Sequence, residues 1–346
     1  MRLITAALFS ALLLTICARA NATGELKYGP VQPAVGPGGA LYQHESLTTW
    51  ERGLNHERYQ VFEPAEPALA KAGLVILLHD WLTEDPEHYM GLIRHLCRCG
   101  MVVVFPRFQG TSALEEDYHP NIVRSIKDFL LQAFARKQIQ IDLNHVAIIG
   151  HGAGGVLAAN LAASTDYFGL PKPGVVMIIT PQQRSLKLLD LTGISRQARM
   201  AVISGDQVDP TNDQTAREIF YAADRIKSDN KVFITVLSDF YGQPPLIADE
   251  LAPLSPERPI YERLLIKRRH EFVRMFREQQ VASSLRTQAI DAFDWFAIFR
   301  VFDALQQIAF VKQAGLNLFK NTPELRFMGY WSDGRKLKGL LVTNRP

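Results

Sequence analysis

The stretch Val146-Ala147-Ile148-Ile149-Gly150-His151-Gly152-Ala153-Gly154-Gly155 has the spacing that points most directly to chemistry. An apolar run of strand character ends at Gly150, and a helical pattern opens near Gly154. The alternate glycines at 150, 152 and 154 match the nucleophile elbow Gly-x-Ser-x-Gly, a sharp strand-to-helix turn that lifts an attacking hydroxyl into a cleft. The outer glycines are needed because a side chain there would collide with the neighbouring strand or helix. The central residue sits at positive φ, a strain that Ser tolerates to present its hydroxyl. Here the central residue is Gly152, which takes the same backbone without strain but brings no attacking atom.

Other candidate groups form weaker patterns. His79 and Asp80 are two metal donors with no third at a suitable spacing. His88, His95 and His119 share no motif. Cys97 and Cys99 stand two residues apart at an expected helix end, a poor geometry for a disulfide. They read either as metal-binding or reactive thiols or, the favoured reading, as buried and inert ones. Gly150, Gly152 and Gly155 fit a dinucleotide-binding signature loosely, but they fall late in the chain, and no acidic residue ends the next strand, Ile179-Thr180-Pro181. No cofactor and no metal are expected.

The elements that must position the elbow are legible as short, nearly unbroken apolar runs. They lie at Tyr59–Phe62, Leu74–Leu78, Met101–Phe105, Val146–Gly150, Val175–Ile179, Met200–Ile203 and Val232–Leu237. Such runs are expected of strands covered on both faces of a parallel sheet. Helical patterns separate them at Pro86–Arg98, Asn121–Lys137, Gly155–Ser164 and Asn212–Lys227. This alternation predicts an α/β fold with a mostly parallel central sheet and helices on both faces. A proline-punctuated loop follows, then two long helical patterns, Ile260–Gln280 and Leu285–Ala314. Asp333-Gly334 reads as the turn of a closing hairpin. The first long pattern is basic (Arg263, Lys267, Arg268, Arg269, Arg274, Arg277), with interleaved glutamates that favour a solvated face.

From about residue 45 to 345 the chain resembles the α/β-hydrolase superfamily, and more narrowly secreted serine esterases of the chlorophyllase and polyester-hydrolase type. Leu74-Val75-Ile76-Leu77-Leu78-His79-Asp80-Trp81 resembles the family's strand followed by His-Gly, with Asp80 in place of the Gly. The resemblance implies oxyanion-hole-like N–H groups at Trp81 and Ala153. Ser204-Gly205-Asp206-Gln207-Val208-Asp209 resembles the strand end that carries the acid, and either Asp206 or Asp209 fits. Ser238-Asp239-Phe240-Tyr241-Gly242-Gln243-Pro244 resembles the loop that carries the base, with Tyr241 in the place of the His. His79, Asp80, Trp81, His151, Phe240 and Tyr241 are the expected cleft lining. The family order is nucleophile, acid, base. Of the nine His only His270 follows the acid, and it lies in the helical stretch Lys267-Arg268-Arg269-His270-Glu271. No residue is therefore a firm catalytic candidate, since Gly152, Asp206, Asp209 and Tyr241 form a degenerate set. The expectation is a pseudoenzyme that binds a ligand or partner. The alternative is a carboxylic ester or amide hydrolase with a displaced catalytic set.

With 346 residues, 47% hydrophobic and 21% charged, the chain is neither disordered nor fibrous. A net charge of +3 gives no case for a nucleic-acid partner. Residues 1–22 read as a secretory signal cleaved after Ala20 or Ala22, which predicts a secreted or periplasmic protein with no stable membrane span. Residues 23–44 read as an irregular arm and 45–346 as one domain, with a helical region at about 256–314. The expected ligand is small and apolar or acyl. No protein partner is specified.

Overall fold

The computed structural model describes residues 26–110, 113–136, 138–256, 290–311 and 316–346. Among the described residues nine strands form one sheet: β1 (Leu47–Arg52), β2 (Tyr59–Pro64), β3 (Lys71–Leu78), β4 (Met101–Pro106), β5 (Gln140–His151), β6 (Val175–Ile179), β7 (Arg199–Gly205), β8 (Lys231–Val236) and β9 (Leu341–Thr343). Their spatial order is β1-β2-β4-β3-β5-β6-β7-β8-β9. From β4 through β8 all pairings are parallel, while β1 and β2 at one edge and β9 at the other are antiparallel. The helices are α1 (Met90–Arg98), α2 (Glu115–Arg136), α3 (Ala153–Phe168), α4 (Pro210–Ala222), α5 (Arg300–Gln306) and the short α6 (Pro323–Arg326). Among the described residues no helix is long and apolar enough to cross a membrane.

The apolar runs are continuous because each strand is covered twice. On β3, Val75 and Leu77 face a core shared with α1 and α5, while Leu74, Ile76 and Leu78 face one shared with α2, α3 and α4. Alternation along a strand sends neighbouring side chains to opposite faces, so both sets must be apolar. The crossovers place helices on both sides, and the loops that leave the carboxyl ends of β3, β5, β7 and β8 gather at one edge. Ligands of open α/β sheets bind at that edge.

Three readings need adjustment. The edge strand β1 was not among the expected strands; it is Leu-Thr-Thr-Trp-Glu-Arg, largely solvent-facing, and lacks a continuous apolar run. Asp333-Gly334 does form a turn, with Gly334 at φ +86°, but its hairpin is reduced to one bridge between Tyr330 and Lys336. The segment after it pairs as β9 with β8 instead. Within Leu285–Ala314, the helix runs through the π-helical turn Asp294–Phe299, α5 and a second π-helical turn, Gln307–Val311. Residues 1–22, the basic pattern from 260 to 280 and His270 lie outside the described residues. Residues 26–46 contain neither strand nor helix.

Candidate functional site

The elbow is built as its spacing predicts. β5 ends at His151, α3 begins at Ala153, and Gly152 joins them at φ +55°, ψ −120°. A Cβ on Gly150 would overlap the Gly154 carbonyl, and one on Gly154 would overlap the carbonyl of Leu78. Backbone N–H groups fasten the turn on both sides: Gly152 donates to Ile179 O at 3.1 Å and Gly154 to His79 O at 3.0 Å. The bend therefore sits at the carboxyl edge of the sheet, between the ends of β3 and β6.

What fills the place of the missing nucleophile is Asp80. A Cβ on Gly152 would fall on the carboxylate of Asp80. Asp80 Oδ1 accepts the Ala153 N–H at 2.8 Å, and the Trp81 N–H favours the ionised form of this carboxylate. Gln182 Nε2 donates to Oδ2 at 3.4 Å. The two N–H groups that the resemblance assigns to an oxyanion hole thus face a carboxylate supplied by the chain itself. Burial raises the Asp80 pKa above the ordinary carboxylate value, against the opposing pull of His151 and the two N–H groups.

That shift has a pH signature. An acid whose folded pKa exceeds its unfolded value of about 3.9 holds its proton more firmly when folded. Its contribution to stability is present below the unfolded value and is lost as pH rises through the folded one. Asp80→Asn removes the titration. Urea melts from about pH 4 to about pH 7 should show the variant gaining stability relative to the wild type. Identical pH slopes for the two chains would contradict this.

Two histidines flank the turn from below. His151 is buried, and its Nε2 lies 2.8 Å from Glu250 O, which can only accept. Nε2 therefore carries the proton, and Nδ1 accepts from Tyr89 Oη at 2.9 Å. Tyr89 Oη also receives the Asp80 N–H at 2.9 Å. His79 donates from Nδ1 to Asp80 O at 2.7 Å and stacks between Phe105 and Phe108. Burial lowers its pKa to about 3, so it is neutral at ordinary pH. Both rings lie beneath the surface rather than on the wall of a cleft. Trp81 is half-buried against Tyr118 and Arg184, whereas Phe240 and Tyr241 are exposed.

The acid and base positions are also rewired. Asp206 Oδ1 accepts from Ser238 N at 2.9 Å and from Ser238 Oγ at 2.5 Å. Ser238 is fully buried just past β8. Tyr241, expected in the place of the His, instead donates to Asp333 Oδ2 at 2.6 Å, with Arg335 over its ring. Asp209 is a helix cap: its Oδ1 accepts from the Thr211 N–H at 2.8 Å and from the Thr211 hydroxyl, which hold its pKa low. Of the two candidate acids, Asp206 is the one that faces the loop after β8.

Among the described residues one serine hydroxyl reaches a His ring: Ser164 Oγ lies 3.2 Å from His119 Nε2. It sits twelve residues along α3, about 18 Å from Gly152 at the helical rise. Ser164 Oγ is 2.8 Å from Asn160 O, where its single proton goes, so the imidazole donates to the hydroxyl and does not activate it. Among the described residues no group of three metal-donor side chains forms at the elbow.

A sheet of this order with a glycine-bounded elbow at its carboxyl edge defines the α/β-hydrolase class. The family model described as "alpha/beta hydrolase fold" matches residues 79–278, and the chain belongs to that family. Among solved structures it is similar to a chain described in a structural analysis of two fungal esterases from Rhizomucor miehei. The two are 12% identical with a TM-score of 0.45, over 71% of this chain and 85% of that one. No curated protein sequence matches the chain.

Sequence reasoning named Asp80 as a replaced glycine, a weak metal donor and a cleft-lining residue, but missed its contact with the elbow. It also missed Tyr89, Gln182 and Ser238. The one available signal was the pairing of two exchanges, Gly to Asp at 80 and Ser to Gly at 152, each making room for the other.

Proposed function

We propose that this is a secreted α/β-hydrolase-fold protein that does not carry out serine-hydrolase catalysis and serves as a binding module. The observation that carries the reading is the Asp80 carboxylate, which takes the space of the nucleophile side chain and the Ala153 N–H together. Serine-hydrolase catalysis needs a hydroxyl, an imidazole and unoccupied oxyanion donors in one place. Among the described residues no serine hydroxyl stands at the elbow, the imidazoles of His79 and His151 are buried beneath it with their bonds turned to Asp80 O, Tyr89 Oη and Glu250 O, and the Ala153 N–H is taken by Asp80. The ligand class that fits is apolar or acyl: Trp81, Phe240 and Tyr241 stand on the loops leaving β3 and β8. Secretion is proposed from residues 1–22.

The test is turnover of short-chain nitrophenyl esters by the purified chain, with Ser164→Ala beside the wild type. The expected rate equals buffer for both. Turnover by the wild type that disappears in Ser164→Ala would establish a displaced serine site and overturn the proposal.

A further inference from the structure

A second cluster of chemically competent side chains lies at the other end of the sheet. His95 and Cys99 are four residues apart at the end of α1, on one face. Asp303 comes to them from α5. His95 Nε2 is 3.0 Å from Asp303 Oδ1 and 3.9 Å from Cys99 Sγ. The three donor atoms all lie within 4.8 Å of one another. His95 and Asp303 are buried and Cys99 is half-buried.

The connectivity decides what such a trio can do. In a nucleophilic relay the thiol and the acid use opposite nitrogens of the imidazole. Here both converge on Nε2, and Nδ1 is engaged by Tyr42 Oη at 3.2 Å. A relay is thereby excluded, and what remains is three donors turned toward one point: a soft sulfur, a borderline nitrogen and a hard oxygen. That mixture suits zinc, which takes all three ligand types in tetrahedral geometry.

The outer partners fit the same chemistry. Tyr42 Oη is itself held by Gln32 Nε2 at 2.8 Å, and the second oxygen of Asp303 accepts the Gly38 N–H at 2.7 Å. The His95 ring is stacked on Phe299 with centroids 4.2 Å apart. Ligands oriented by hydrogen bonds from outside, with a packed ring behind them, are the usual support of a metal site. The arm supplies these partners and so closes over the cluster.

We propose that His95 Nε2, Cys99 Sγ and Asp303 Oδ1 form a binding site for one divalent zinc-like cation, with water in the fourth position on the half-exposed Cys99 side. Thiolate and carboxylate together match the charge of the ion. Binding breaks the S–H bond, forms the S–metal bond and releases the thiol proton to water. The imidazole proton moves to Nδ1, where Tyr42 Oη accepts it.

The test is titration of the reduced, untagged, metal-free full chain with cobalt(II), followed by zinc(II). One cobalt per chain should bind, with a near-ultraviolet thiolate-to-cobalt band that zinc abolishes. Cys99→Ser should lose the band and weaken binding at least about tenfold. Zinc at about 100 times its dissociation constant should raise the wild-type melting midpoint by several degrees. If Cys99→Ser does not fold, X-ray absorption on the zinc-loaded wild type decides, with a shell of sulfur and nitrogen expected. A wild type without the band, a band retained in Cys99→Ser, or an oxygen-only shell would each overturn the proposal.

Discussion

Gly154→Ala is expected to cost at least about 4 kcal/mol and to leave much of the chain insoluble when expressed. Alanine is otherwise the better helix residue by about 1 kcal/mol, so propensity alone would predict a gain. Contact geometry reverses the sign. The added Cβ would overlap the Leu78 carbonyl and press on His79 O. Both obstacles are backbone at the carboxyl end of the central strand β3 and the residue that follows it, and β3 pairs with β4 on one side and β5 on the other. A flexible side chain could swing away; a strand fixed by two neighbours cannot. Relief requires α3 to lift from the sheet, which breaks the Gly154 N–H to His79 O bond. A melting midpoint within a few degrees of the wild type would show that the elbow is looser than described.

The second large effect is expected at Gly152→Ser. The substitution restores the family hydroxyl in name only. Its φ of +55° imposes about 1–2 kcal/mol of strain on a side chain, and the new Cβ falls on the Asp80 carboxylate. With about 1–3 kcal/mol for overpacking, the chain should lose about 3 kcal/mol and gain no esterase activity. Ordinary esterase rates from this single change would mean that an imidazole reaches the elbow after all.

Much of the fold was legible because its signals are local. Buried parallel strands must be apolar on both faces, so β3 to β8 announce themselves as unbroken runs. β1 does not, because most of its side chains face solvent, and β9 is three residues long. The elbow was legible for the same reason: three glycines at alternate positions are a demand of one turn. The state of the site was not. Nothing around Asp80 in the sequence says that the loop after β3 folds its carboxylate onto the start of α3. Nothing near Asp206 says that Ser238 takes up its oxygen while Tyr241 turns to Asp333. The metal cluster is the extreme case, since His95 and Asp303 are 208 residues apart and meet only once the chain is folded. Local spacing can specify a turn, but contacts between loops need the sheet to be assembled first.

The central claim is that one volume at the elbow holds either an Asp80 carboxylate or a side chain at 152, and never both. A double-mutant cycle measures this directly, using urea melts of the wild type, Asp80→Gly, Gly152→Ser and the pair. The account predicts that the pair is more stable than the sum of the two single losses by about 2 kcal/mol, because each change makes room for the other. Losses that simply add, within about 0.5 kcal/mol, would contradict it and mean that Asp80 does not occupy the place of the nucleophile.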